Sequence, residues 1–143
     1  MVQVLRSVYD AMIGHALDEH PNECCGLLGG TDGVITQIYP ATNVAETKSV
    51  RYDVDSTELV KIFTAMRAGD VEHLGIYHSH PSSEPRPSAT DRKLARYDSV
   101  VYFIVSLRSR RPRMQAWRIR KARPDDDDAV VTDEAIEIVE RAP

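Results

Sequence analysis

Tyr77-His78-Ser79-His80-Pro81-Ser82-Ser83-Glu84-Pro85-Arg86-Pro87-Ser88-Ala89-Thr90-Asp91 is the stretch that decides how this chain is read. The apolar run Leu74-Gly75-Ile76-Tyr77 leads into it and predicts a short strand continuing to His80. Side chains alternate along a strand, so His78 and His80 project to one face and Ser79 to the other. Two imidazoles at that spacing can converge on one ion. Pro81, Pro85 and Pro87 lack the N–H that a ladder needs, which ends the strand. Ser88 followed three residues later by Asp91 resembles a capping box, with a helix running to Arg96. The proline-rich loop then returns Asp91, in the first helical turn, toward the histidines. Two imidazoles, a carboxylate and an open position filled by water have the composition of a catalytic rather than a structural zinc site. Upstream, Glu23 in Pro21-Asn22-Glu23-Cys24-Cys25-Gly26-Leu27-Leu28-Gly29 offers a carboxylate for general-base work. Each residue also has a plainer reading. His-x-His pairs arise by chance, Ser88 and Asp91 can serve only as a helix cap, and Glu23 can be a solvated loop residue. Their joint occurrence in compatible strand, loop and helix contexts favours the functional reading.

Outward from this stretch, 143 residues with 42% hydrophobic and 28% charged composition predict one compact domain with a real core. Leu5, Val8, Tyr9, Met12, Ile13, Ala16 and Leu17 recur at helical steps, with Ser7 as N-cap and Pro21 as the stop. Cys25 to Leu28 reads as a buried strand closed by Gly29-Gly30. Thr31-Asp32-Gly33 signals a turn into a second strand, Val34 to Tyr39, giving a hairpin. Val50 to Val54 predicts a third short strand. Asp55 or Ser56 caps a helix with Leu59, Val60, Phe63 and Met66 on its face, ended by Gly69. Val100 to Leu107 is the most continuously apolar run and predicts a central strand, and Met114 to Ile119 alternates as an edge or near-edge strand. Strands and helices interleave without a repeating βα unit. This predicts an α/β fold, a three-layer sandwich around a mixed sheet.

Residues 1–123 are read as one domain, with 124–143 as an acidic loop and a short C-terminal helix (from Thr132 to Arg141) appended to it. Charge segregates here: the run from Arg108 to Arg123 holds eight basic residues and no acid, and that from Asp125 to Glu140 holds eight acids and no base. The two runs can neutralise each other or be solvated, or the basic one can dock an acidic partner. A net charge of −4 argues against a dedicated nucleic-acid binder. With no signal-peptide pattern and no long apolar run, the expected location is cytoplasmic. Adjacent Cys24 and Cys25 make no disulfide framework and read as small buried residues. His15 and His20 have no ligand partner at a useful spacing and read as surface residues.

The spacing His78-x-His80-Pro81, six residues, Ser88, two residues, Asp91 resembles without a gap the motif of the JAMM (MPN+) zinc metalloprotease family. Pro21-x-Glu23-x-Cys25-Gly26-Leu27-Leu28 is similar to its catalytic-glutamate segment, and Gly75-Ile76-Tyr77 to its approach to the histidines. The likeness in element order runs from about Val4 to about Arg123. It implies a mixed, mostly antiparallel sheet with an MPN/cytidine-deaminase-like core. It also implies one zinc per chain held by His78, His80 and Asp91, with Glu23 as general base and Ser88 helping to hold the oxyanion. The small prokaryotic, sulfur-carrier-processing members make the expected activity hydrolysis of an amide after the C-terminal Gly-Gly of a ubiquitin-like or sulfur-carrier protein. A homodimer is compatible with that reading. The chain is too short for the insertions by which eukaryotic relatives choose ubiquitin linkages. Two alternatives remain at this point: a non-catalytic MPN scaffold, and a nucleic-acid-associated protein resembling the RadC family, favoured only by the basic run.

Overall fold

The computed structural model describes residues 1–143. Along the chain run β1 (Val2–Leu5), α1 (Arg6–Glu19), β2 (Cys25–Thr31), β3 (Val34–Ala41), α2 (Ser56–Ala68), β4 (Glu72–His80), α3 (Ala89–Leu94), β5 (Val101–Ser106), β6 (Arg113–Arg120), β7 (Val130–Glu134) and β8 (Ile136–Val139). The strands form one sheet in the order β7-β6-β5-β4-β2-β3-β1-β8. Four of its seven pairings are antiparallel; β4–β5, β1–β3 and β1–β8 are parallel. The sheet is mixed and mostly antiparallel, as expected.

Strand periodicity sorts the core onto two faces. On one face Val4, Leu28, Tyr77, Phe103 and Val105 pack under Val8, Met12 and Ala16 of α1. On the other, Cys25 and Leu27 meet Ile62 and Met66 of α2. Beside them Ile76, Tyr102 and Ile119 pack with Ala95 and Tyr97, just after α3. Helices on both faces make the three layers. All six residues of β5 are buried, consistent with an interior strand covered on both sides. Leu17 and Val60, expected on the apolar helix faces, are exposed.

The β2–β3 hairpin forms with Asp32 and Gly33 both at positive φ (52° and 76°), the pairing whose twist suits a two-residue hairpin. Gly29-Gly30 does not close β2. The strand runs on to Thr31 with its register shifting around both glycines, and a Cβ on Gly30 would strike the Val34 carbonyl.

Three further expectations are corrected. Ser7 does not cap α1, which follows β1 directly from Leu5 with no side-chain cap. Residues 50–54 form no strand beyond a single bridge between Asn43 and Val54, because the Asn43 side chain engages the backbone of Arg51 and Asp53. The C-terminal helix is absent: β7 and β8 occupy its place, separated by Ala135 alone, on opposite edges of the same sheet. Ile136-Glu137-Ile138 alternates with period two and pairs with the backbone of β1, while β6 pairs with β7. No helix is long and apolar enough to cross a membrane.

Candidate metal centre

The site lies where β4 ends. His78 pairs with Cys25 of β2 and Ile104 of β5, and His80 with Ser106 of β5, so both imidazoles stand on the α2/α3 face of a central strand. Ser79 points the other way, as its parity requires. Its hydroxyl accepts the Cys24 amide at 2.8 Å, and its own amide reaches the Cys24 carbonyl at 3.2 Å.

Beyond His80 the loop of residues 81–87 is fastened to β5 and β6. Ser106 Oγ donates to the Ser83 carbonyl (2.6 Å) and Trp117 Nε1 to the Pro85 carbonyl (2.9 Å). Arg108 and Arg113 each reach the Glu84 carboxylate at 3.2 Å, so part of the basic run serves this loop. These exposed ion pairs contribute little each; the buried Trp117 bond is the firmer tie. The loop thereby places the Glu84 carbonyl 2.7 Å from His80 Nδ1. The capping box at α3 then forms as expected: Asp91 N donates to Ser88 Oγ (3.0 Å) and Ser88 N to Asp91 Oδ2 (2.9 Å). Asp91 Oδ2 comes to 3.1 Å from His78 Nε2 and 2.9 Å from His80 Nε2, and the two Nε2 atoms are 3.1 Å apart.

That triangle fits a metal ion on the chemistry of its donors. With the His80 Nδ1 proton committed to a carbonyl, neutral His80 turns a bare Nε2 lone pair toward a carboxylate oxygen and a second imidazole nitrogen. Only a proton or a cation relieves such an arrangement. Without a metal, protons fill the role. Burial pulls His80 down, but hydrogen bonds to Asp91 and the Glu84 carbonyl and the charge on Asp91 raise it overall. Burial pushes Asp91 up, yet the His78 charge and hydrogen bonds from His78, His80 and the Ser88 amide hold it well below the usual carboxylate range.

Glu23 sits just before β2, 4% exposed, with Oε1 lacking any partner. Burial raises its carboxyl to about 7, with nearby His78 opposing the rise and Asp91 adding to it. It is not a solvated loop residue. Ser88 is exposed, and its hydroxyl accepts from Asp91 N, which leaves its own proton free to donate. Burial pushes the Cys24 and Cys25 thiols up to about 11 and about 12, consistent with inert core residues. His15 is not a surface residue: it is half-buried, with Nδ1 2.7 Å from the hydroxyl of fully buried Tyr77. Gly26 is needed against that same ring, which any Cβ there would overlap. His20 is exposed.

Two residues at the site escaped the sequence reading. Tyr52 stacks on His78, ring centroids 4.4 Å apart and planes 24° from parallel. Asn43 is buried beside Glu23 and donates to its carbonyl at 3.0 Å. Both lie in residues 42–55 between β3 and α2; the alternation of Val50 to Val54 set Tyr52 on an inward face but named no partner for it, and nothing local marked Asn43 as buried. Next to Asp91 a cavity of about 170 Å³ opens, lined by Tyr52, Val54, Leu59, Ile76, Leu94 and Tyr97 among others.

Known proteins place this arrangement in a family. Residues 5–120 match the model of the prokaryotic homologs of the JAB domain. The CysO-cysteine peptidase of Mycobacterium tuberculosis is 38% identical over 144 residues, covering 98% of this chain and 93% of that protein. A desampylase of Haloferax volcanii is 39% identical over 103 residues, covering 68% and 74%. Among solved structures, protein DSY2949 from Desulfitobacterium hafniense superposes with a TM-score of 0.85 at 32% identity, covering 99% of this chain and 95% of that one. The chain belongs to the prokaryotic homologs of the JAB domain, the small prokaryotic branch of the JAMM/MPN family.

Proposed function

We propose that this protein is a zinc-dependent peptidase that hydrolyses an amide following the C-terminal Gly-Gly of a ubiquitin-like or sulfur-carrier protein. The observation that carries the reading is the convergence of His78 Nε2, His80 Nε2 and Asp91 Oδ2 beside the buried, unpartnered carboxyl of Glu23. One zinc ion per chain would be held by His78, His80 and Asp91. When bound, zinc polarises the scissile carbonyl and lowers the pKa of a water to about 7.

Glu23 is the general base. Its Oε1 is spent on no other hydrogen bond, and a carboxyl near neutrality suits both taking a proton from the attacking water and returning it to the departing amine. The Ser88 hydroxyl donates its proton to the developing oxyanion; losing one such donor typically costs about 10²–10³ in rate. Tyr52 braces the His78 ring by stacking, and the Glu84 carbonyl fixes His80 with Nε2 turned toward Asp91 Oδ2, the position from which it would hold the metal.

The substrate class is supported by the names of the relatives, a CysO-cysteine peptidase and a desampylase. The cavity beside Asp91, walled by Tyr52, Ile76 and Tyr97, is where the end of such a tail would lie. The test is mass spectrometry of a Gly-Gly-ending carrier that bears an additional cysteine or peptide, before and after incubation with the zinc-loaded protein. Cleavage immediately after Gly-Gly is expected. Replacing the final glycine with valine should lower kcat/KM by at least 10²-fold through exclusion from the groove. Zinc-loaded protein that leaves every extended tail intact, or that cleaves the valine variant equally fast, refutes the assignment.

A further inference from the structure

Asn43 ties together two parts of the site that lie far apart in sequence. It is buried, and its amide is fully used. Nδ2 donates to the Glu23 carbonyl and to the Arg51 carbonyl, both at 3.0 Å. Oδ1 accepts from the amides of Ala45 and Asp53, also at 3.0 Å each. An asparagine side chain offers two donors and two acceptor sites, so no capacity is left over. A fully satisfied buried polar group rigidifies what it joins; a half-satisfied one is costly.

What it joins is specific. The Glu23 amide donates to the Lys48 carbonyl at 2.8 Å, within the same loop of residues 42–55. Both backbone polar groups of Glu23 are therefore held by that loop. The next amide, of Cys24, is held by Ser79, between the two histidines of the triangle. On the other side of Asn43 the bonds to Arg51 and Asp53 bracket Tyr52, which stacks on His78 and lines the cavity beside Asp91.

We propose that Asn43 is a positioning residue that locks the Glu23 segment to the loop carrying Tyr52, so that the base and one wall of the groove move as a single unit. The inference rests on the role given above to Glu23. A Gln or Leu of similar bulk cannot replace it: the side chain must offer two donors and two acceptors within one short planar group. Aspartate is the informative substitution. Asn43→Asp keeps two oxygens for the amides of Ala45 and Asp53, but it turns carboxylate oxygen toward the carbonyls of Glu23 and Arg51.

The experiment has three parts. Asn43→Asp should bind cobalt(II) with the wild-type stoichiometry and absorption spectrum, because the ligands lie on β4 and α3, while kcat on a cleavable carrier conjugate falls at least 10-fold. In a Glu23→Gln background the same substitution should change the residual rate less than twofold, since its effect passes through Glu23. An equal loss in both backgrounds, or wild-type kcat in the single variant, overturns the proposal. The third part needs neither a variant that folds nor a known substrate. In the wild-type protein the amides of Glu23, Ala45 and Asp53 should exchange with deuterium within about threefold of one another after correction for intrinsic rates, as one opening unit. A Glu23 amide protected 10-fold or more differently from those of Ala45 and Asp53 shows that the segments open separately and overturns it. Failure of wild-type protein to cleave any carrier would remove the proposed function alone, leaving the exchange result to decide the role of Asn43.

Discussion

At the scale of single residues, Glu23 is the informative one, because the burial that suits it to the proposed role of base also makes it a liability. Its folded carboxyl is raised to about 7 by burial, above the roughly 4.3 of an unfolded chain. Between those values the folded state holds the extra proton, so the stability that Glu23 permits in acid is lost as pH rises through the window. Metal-free Glu23→Gln should therefore match wild type near pH 4 and exceed it near pH 8 by on the order of 2 kcal/mol in denaturant titration. A variant no more stable than wild type at pH 8 contradicts the burial argument. In catalysis the same group must be unprotonated, so kcat/KM should fall as pH drops through an acid limb at or below about 7, a bound dication pulling that limb down. Glu23→Gln should keep its metal, lose about 10²–10⁴ in kcat and show no such limb. His78→Ala and His80→Ala each leave two ligands; elemental analysis should find the metal lost with far-ultraviolet dichroism retained. Stoichiometric zinc in either would disprove the ligand set.

At the scale of elements, the loop of residues 81–87 and the first turn of α3 place two of the three proposed ligand atoms. Trp117→Phe keeps an aromatic ring but removes the pyrrole half of the indole with the N–H that holds the Pro85 carbonyl. Metal affinity, measured by competition with a chelator, should weaken about 10-fold as the Glu84 carbonyl loses its fixed place against His80. Ser88→Ala removes the cap on Asp91 N and should cost about 1 kcal/mol of stability, with turnover falling further than stability explains. Unchanged metal affinity in Trp117→Phe would mean that the proline-rich loop holds its shape without β6.

Over the whole molecule, the unusual device is the run from β7 to β8. One strand-like segment, interrupted only at Ala135, pairs antiparallel with β6 at one edge of the sheet and parallel with β1 at the other. Val2 N donates to the Ala135 carbonyl at 2.8 Å at the crossing point. The chain thus covers both edges with its own C-terminal segment. Deleting residues 130–143 should expose backbone on β6 and β1 and drive self-association, detectable by light scattering. A monodisperse truncated protein of undiminished thermal stability would show that the edges need no cover.

Local spacing singled out the three proposed ligands before any coordinates, and the fold brings their donor atoms within 4.8 Å of one another. Period two in β4, prolines after His80 and a capping box at Ser88 are local marks that set the direction of His78, His80 and Asp91, and bonds from Ser106 and Trp117 fasten the loop between them. The hairpin at Asp32-Gly33 and the buried strand β5 were legible for the same reason: turn chemistry and burial leave local marks. What tertiary structure alone decided depends on partners distant in sequence. Ile136-Glu137-Ile138 became a strand because β1, more than a hundred residues earlier, offered an unpaired edge. Residues 50–54 stopped at a single bridge, with the Asn43 side chain holding the Arg51 carbonyl and the Asp53 amide where a neighbouring strand would otherwise pair. The burial that sets the Glu23 carboxyl, and the meeting of Tyr52 with His78, arise only when segments distant in sequence are pressed together. A one-dimensional pattern reports which face a side chain takes, not what will stand opposite it.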